Sequence, residues 1–226
     1  MTMQEKVDNI LERIANACQR VGRTADSVRL IAVSKTYPPD SVREAVQCGL
    51  RVFGESRVPE AEAKIPLCPS RIEWELIGHL QRNKVRRAVR LFDTIHAVDS
   101  LALLEKINAV AGEAGKNIKV CLEVNVSGEP SKYGFKAEEV PAILEQATSL
   151  MNVDLAGLMT IPPFKPNPEE VRPFFAKLRE LRDELATSSG FPLEELSMGM
   201  SGDFEVAIEE GATCVRVGTA IFGKRS

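Results

Sequence analysis

The regular alternation of short apolar runs with longer amphipathic segments is the feature that most limits how this chain can fold. Runs rich in β-branched and apolar residues recur eight times, and a helix-like segment follows each of the first seven. Strict alternation is typical of a parallel sheet covered by helices, and eight units predict closure into a (β/α)8 TIM barrel. The predicted strands cover residues 30–34, 51–53, 73–77, 94–97, 118–124, 153–158, 194–196 and 213–217.

An extra helix is predicted before the first strand, because residues 5–21 carry apolar side chains at helical spacing. Strands 51–53 and 194–196 are the weakest of the eight, so an open, doubly wound sheet remains an alternative. No linker or low-complexity tract divides the 226 residues, and we expect residues 1–226 to form one α/β domain. The later helices are predicted at 39–48, 56–64, 81–91, 100–114, 136–149, 168–188 and 202–210.

Composition excludes several classes of function. The 29 basic and 32 acidic residues are nearly balanced, so no overall positive potential favours nucleic acid. No run approaches the roughly 20 apolar residues that span a bilayer, and the N-terminal residues do not resemble a signal peptide, so a cytoplasmic protein is expected. The five cysteines are scattered, and the two histidines lie outside ligand-like clusters. We therefore predict neither a disulfide framework nor a metal site.

Lys35 directly follows the first predicted strand, at a position where barrel enzymes collect their chemistry. An amine with apolar walls is partly desolvated, which favours its neutral, nucleophilic form and makes it a candidate to form a Schiff base with a carbonyl compound. The alternative is a lysine that only marks the exit of the strand into solvent.

Two glycine-rich junctions follow the last two strands, at Ser201-Gly202 and at Gly218-Thr219. In a barrel these loops commonly hold a phosphate group with backbone N–H groups at short helix N-termini. Ser201 is predicted both as a helix N-cap and as a phosphate ligand; capping alone is the alternative.

Arg216 lies between Val215 and Val217 in an apolar strand, where a permanent charge needs a partner. An ion pair with a carboxylate such as Glu123 is one possibility, and a ligand atom is the other. A lysine, an arginine and a phosphate cradle at one barrel mouth would surround a flat, phosphorylated carbonyl compound, a description that fits pyridoxal 5′-phosphate (PLP).

Six separated motifs carry a resemblance to a known family. In chain order they are residues 30–37, 53–55, 77–84, 157–162, 196–203 and 215–223, which include Leu-Ile-Ala-Val-Ser-Lys-Thr-Tyr, Phe-Gly-Glu and Gly-Leu-Met-Thr-Ile-Pro. Together they resemble the YggS/PROSC-type pyridoxal phosphate homeostasis proteins. The resemblance implies a barrel like the N-terminal domain of alanine racemase, with PLP bound as a Schiff base on lysine.

The resemblance also assigns roles to matching residues. Lys35 is similar to the Schiff-base lysine and Arg216 to the partner of the pyridine nitrogen, while Met200 and Ile77 would line the site. Ser56 replaces the asparagine of the usual Phe-Gly-Glu-Asn motif, and either its hydroxyl or a water molecule could replace the lost contact. The phosphate ligands would be Ser201, Gly218 and Thr219.

A racemase on this fold needs acid and base groups on both faces of the cofactor. No second domain is expected after the eighth unit to supply one, and an arginine opposite the pyridine nitrogen leaves that nitrogen unprotonated, which weakens the electron sink. We therefore expect a non-catalytic PLP carrier with no catalytic residues, and the resemblance implies that it serves vitamin B6 and amino- and keto-acid homeostasis. A weak amino-acid racemase and a cofactor-free Schiff-base aldolase are the alternatives. PLP-dependent apoenzymes are candidate partners, and a monomer is expected.

Overall fold

Eight parallel strands close into a barrel in the computed structural model of the chain, which describes residues 1–223. Closure depends on the pairing of the first strand with the last, where Arg29 lies opposite Cys214 and Ala32 lies opposite Val217. The predicted TIM barrel is therefore confirmed, and the open-sheet alternative is wrong. The strands are β1 (Arg29–Val33), β2 (Val52–Glu55), β3 (Glu73–Leu76), β4 (Thr94–Val98), β5 (Ile118–Glu123), β6 (Val153–Met159), β7 (Glu195–Met200) and β8 (Cys214–Val217).

Helices surround the barrel, and the extra N-terminal helix is present. It begins at a capping box, in which Thr2 and Glu5 exchange side-chain and backbone hydrogen bonds, and it buries one apolar face that includes Val7, Ile10 and Ile14. Within residues 1–223 the α-helices are α1 (Met3–Arg20), α2 (Pro39–Gln47), α3 (Val58–Lys64), α4 (Val85–Leu91), α5 (Leu101–Glu113), α6 (Val140–Ala147), α7 (Arg172–Ser188), α8 (Phe204–Glu209) and α9 (Thr219–Phe222). None of the helices in this described part is long and apolar enough to cross a membrane.

Among the strands, the boundaries differ from the sequence prediction most at the two weakest ones. β2 runs two residues further, through Gly54 and Glu55, and β7 continues to Met200. Both extensions contain polar or glycine residues, which the apolar pattern used for prediction does not detect. The short helix α9 was not predicted, and residues 224–226 of the predicted domain lie outside the described residues.

The alternation of side chains along β1 determines which groups face the barrel interior. Ile31 and Val33 belong to a small interior cluster with Ile77 and Cys214, whereas Ala32 belongs to the main core between strands and helices. Because side chains alternate with a period of two, Lys35 continues the interior side and Ser34 the helix side. The local sequence therefore directs the lysine toward the mouth of the barrel.

Candidate functional site

A cavity of about 360 Å³ opens at the end of the barrel where the strands have their C-termini. Its walls come from segments at the ends of β1, β2, β3, β6, β7 and β8, as expected for a barrel whose site lies at this face. All the residues predicted to bind the cofactor line it, although their contacts with a ligand stay a prediction. They are Lys35, Ser56, Ile77, Met200, Ser201, Arg216, Gly218 and Thr219.

Arg216 is almost completely buried, with 3% of its surface exposed, and still lines the cavity. Its Nη1 donates to the hydroxyl of Ser197 at 2.6 Å, and its Nη2 donates to the carbonyl of Thr160 at 2.9 Å. The ion pair with Glu123, which was the alternative from the sequence, is not formed. The uncharged oxygens of Ser197 and Thr160 hold the guanidinium instead. A guanidinium has five N–H groups, so Arg216 keeps donors for a ligand.

The two glycine-rich junctions lie against each other. The hydroxyl of Ser201 accepts a hydrogen bond from the backbone N–H of Gly218 at 3.2 Å. The N-cap prediction for Ser201 is wrong, because α8 begins at Phe204 after Asp203, whose carboxylate accepts the N–H of Met200 at 2.6 Å. No hydrogen bond within residues 1–223 uses the backbone N–H of Ser201, Gly202 or Thr219 as donor. These N–H groups are therefore available to an anionic oxygen in the cavity.

Sequence reasoning missed several lining residues. Tyr37 stacks on Phe222 with ring centroids 5.0 Å apart, and its hydroxyl donates to the carbonyl of Gly223 at 2.6 Å. The proline-rich segment after β6 contributes Phe164, which is 90% exposed, and Lys165. Four prolines in eight residues signal a stiff loop here, but a sequence cannot show which way its side chains point.

A buried polar chain connects Arg216 with the opposite end of the barrel. Ser197 lies 2.9 Å from Nδ1 of His96, whose Nε2 lies 2.7 Å from Glu75. Arg29 then pairs with Glu75 and, at 2.7 Å, with Glu195. The sequence gives no signal for this chain of contacts, because its members come from four strands, β1, β3, β4 and β7.

One group of the described residues has metal-ligand geometry: His96, Glu195 and Cys214 have ligand atoms within 4.8 Å of one another. Both ring nitrogens of His96 already have hydrogen-bond partners, and Glu195 pairs with Arg29. A cation placed there would also face this guanidinium. The prediction of a metal-free protein is unchanged by this group.

On the other side of the mouth, His79 lies 2.8 Å from Asp99 and stacks on Tyr133 at 4.2 Å. Burial raises the pKa of the neighbouring Glu123 to about 7, and the negative charge of Asp99 acts in the same direction. These groups do not line the cavity that contains Lys35.

Comparison with known proteins gives a consistent assignment. The family model described as "Alanine racemase, N-terminal domain" matches residues 8–226. A protein of Aquifex aeolicus named pyridoxal phosphate homeostasis protein is 47% identical over 226 residues, which are 100% of this chain and 99% of that protein.

Two solved structures extend the comparison. PipY of Synechococcus elongatus, solved with PLP bound, is 44% identical with a TM-score of 0.83 and covers 95% of this chain and 100% of its own. An alanine racemase of Clostridium difficile has a TM-score of 0.72 at 16% identity. This chain aligns over 98% of its own length but only 57% of the racemase, and at that identity the likeness concerns the fold alone.

Proposed function

Because the chain belongs to the family of pyridoxal phosphate homeostasis proteins, which share the alanine racemase N-terminal domain, we propose that it binds PLP covalently and reversibly through Lys35. Its role is to hold or deliver the cofactor for intracellular vitamin B6 and amino- and keto-acid homeostasis. The carrier is proposed to act as a monomer in the cytoplasm, with PLP-dependent apoenzymes as its protein partners.

The observation that carries this proposal is the set of groups around one cavity. An amine (Lys35), a buried guanidinium (Arg216) and a cluster of hydroxyl and N–H donors (Ser201, Gly218 and Thr219) all line it. Each matches one group of PLP: the aldehyde, the pyridine nitrogen and the phosphate. The apolar wall at Ile77 suits the ring face, and about 360 Å³ is within the usual range for small-ligand sites.

Bound PLP supplies an aldehyde carbon that forms a C=N bond with a primary amine, while the carbonyl oxygen leaves as water. The role of the protein is to present Nζ of Lys35 to that carbon. The remaining donors hold the phosphate and the ring. Because water reverses the bond, the cofactor can be released without chemical change.

Two features of the cavity support a carrier without efficient turnover. Arg216 does not give up its proton, so a pyridine nitrogen that accepts a hydrogen bond from it would stay unprotonated. A ring in that state would stabilise a carbanion poorly. The tyrosine that lines the cavity, Tyr37, already donates its hydroxyl to the carbonyl of Gly223. It is therefore not available as an acid or base for a bound amino acid.

Titration of the purified protein with PLP tests the binding proposal. We expect a visible absorption band that saturates at one cofactor per chain and is removed by reduction with borohydride. Pyridoxal without the phosphate should bind at least about tenfold more weakly, because the donors at Ser201 and Thr219 lose their partner. A protein that stays colourless in excess PLP would contradict the proposal and favour the cofactor-free aldolase.

Proton exchange tests the non-catalytic role. In deuterated water, the PLP-loaded protein should exchange the α-proton of alanine no faster than free PLP at the same concentration. Nuclear magnetic resonance of the amino acid measures this rate directly. Exchange well above that level, lost in Lys35→Ala, would identify the chain as a weak racemase-like enzyme instead.

A further inference from the structure

Three charged side chains behind the barrel wall form a network, and two of them hold the backbone on either side of Lys35. Lys64 ends α3, Glu60 lies one turn earlier on the same helix, and Glu55 ends β2. None of the three lines the cavity. Glu55 is completely buried and Lys64 is 6% exposed. The three residues, termed here the clamp, therefore act between the strands and α3 and not on a ligand.

Lys64 is the centre of the clamp. Its Nζ donates to the carbonyl oxygen of Ser34 at 2.8 Å, to Glu55 Oε1 at 2.7 Å and to Glu60 Oε1 at 2.9 Å. These bonds account for all three N–H donors of an ammonium group. The hydroxyl of Ser34 donates to the same oxygen of Glu55 at 2.7 Å. The acceptor oxygen of Glu60 also takes the backbone N–H of Thr36.

These contacts fix both peptide groups that flank the Cα of Lys35. The carbonyl of Ser34 belongs to the peptide group before that Cα, and the N–H of Thr36 belongs to the one after it. Lys64 holds the first and Glu60 holds the second, and the two holders are bonded to each other. Since φ and ψ of Lys35 are the rotations between these two peptide groups, the clamp sets the direction in which the lysine side chain leaves the backbone.

The backbone conformation next to Lys35 needs such support. Thr36 has φ of +70°, in the left-handed region that β-branched residues rarely adopt. A strained residue persists only where its surroundings determine it, and strain of this kind is concentrated at functional sites. The hydrogen bond from Thr36 to Glu60 is one such restraint, and the hydrogen bond of 3.1 Å from the N–H of Tyr37 to the carbonyl of Ser34 is another.

Burial of the charged groups of the clamp costs free energy, which a purely structural role would not require. Burial raises the pKa of Glu55, while hydrogen bonds from Lys64 and Ser34 act in the opposite direction. Its Oε2 is buried without a hydrogen-bond partner among the described residues. For Glu60, burial raises the pKa, but the bonds from Lys64 and Thr36 outweigh it and the pKa is lowered. Apolar residues often replace buried charged groups without loss of stability, so their presence here favours a specific task.

We propose that Lys64, Glu60 and Glu55 are positioning residues for Lys35, which orient its amine toward the aldehyde carbon of PLP in the cavity. The inference rests on the proposed function, since it assigns residues that prepare the same covalent bond. That bond forms between Nζ and the aldehyde carbon, and the oxygen leaves as water. Small errors in the position of reacting atoms lower the reaction rate strongly. Removing one residue of the clamp should therefore slow bond formation more than it weakens non-covalent binding.

Glu60→Ala tests the clamp, with Glu62→Ala as its matched control on the same helix. Glu62 pairs with Arg87 at 2.7 Å and has no bond to the backbone near Lys35. Both positions are partly exposed, so both variants should fold, which circular dichroism checks. After mixing with PLP, we expect the visible band to appear about tenfold more slowly in Glu60→Ala and at the wild-type rate in Glu62→Ala. Glu60→Gln, which keeps an acceptor for Thr36, should recover most of the rate.

Pyridoxine 5′-phosphate, which has no aldehyde, separates positioning from damage to the cavity. Its affinity should be the same within about twofold in wild type and Glu60→Ala, since its binding forms no bond to Nζ. Equal weakening of PLP and this analogue would overturn the proposal, as would a wild-type rate in folded Glu60→Ala. Lys64→Met is the second variant and should slow the appearance of the band at least as much as Glu60→Ala does. If Lys64→Met does not fold, the comparison of Glu60→Ala with Glu62→Ala decides whether the proposal holds. A wild-type protein that forms no band would instead refute the proposed function.

Discussion

Replacement of Lys35 with alanine is expected to abolish the visible band that PLP forms with the protein. The variant keeps Arg216 and the donors at Ser201 and Thr219, so it should still bind PLP non-covalently. Loss of the C=N bond should weaken that binding at least about tenfold, which corresponds to about 1.4 kcal/mol. Absorption spectra and equilibrium dialysis of the two proteins measure both effects.

Lys165→Ala is the informative comparison, because Lys165 is a second amine that lines the cavity. It lies 4.0 Å from Glu170 and is 42% exposed on the proline-rich loop after β6, whereas Lys35 follows β1 of the barrel directly. We expect this variant to keep the band and its intensity. A band that survives in Lys35→Ala and disappears in Lys165→Ala would transfer the covalent role to the loop after β6.

Gly157→Ala is expected to have the largest effect on stability. A Cβ at Gly157 would lie 1.8 Å from the backbone oxygen of Glu195, on the neighbouring strand β7. Backbone atoms cannot move aside without separating β6 from β7, which would open the barrel locally. We expect a loss of about 3 kcal/mol or more in the free energy of unfolding, or failure to fold. Urea denaturation of the cofactor-free protein measures the loss.

Gly202→Ala provides the control for that substitution. A Cβ at Gly202 would meet no atom within 4 Å, and its φ lies outside the left-handed region. The free energy of unfolding without cofactor should therefore change by no more than about 0.5 kcal/mol. Equal stability of Gly157→Ala and Gly202→Ala would show that β6 and β7 do not approach as closely as described.

The sequence predicts the barrel well because its signal is periodic. Eight strands at regular intervals define the fold even where their ends are displaced, as at β2 and β7. The seventh strand is predicted to end at residue 196, yet β7 continues to Met200, and Ser197 within this extension faces the interior and bonds Arg216. A strand prediction that uses the apolar pattern does not detect a buried serine whose partner is an arginine.

Residues around the candidate cavity could be predicted where a charged residue ends or interrupts an apolar strand. A lysine after a strand and an arginine within one are each unusual enough to be noticed in isolation. The clamp is different, because Lys64 and Glu60 have the spacing of an ordinary exposed ion pair on a helix. Only the fold brings them to the backbone of Ser34 and Thr36, so no sequence signal distinguishes them from surface charges.

Reduction of the PLP complex with borohydride, followed by peptide mapping, tests the central claim most directly. Reduction converts the C=N bond to a stable amine and leaves the cofactor on the lysine that held it. With one equivalent of PLP, we predict that the label is found on the peptide that contains Lys35. A label on Lys165, or one spread over surface lysines, would contradict the account.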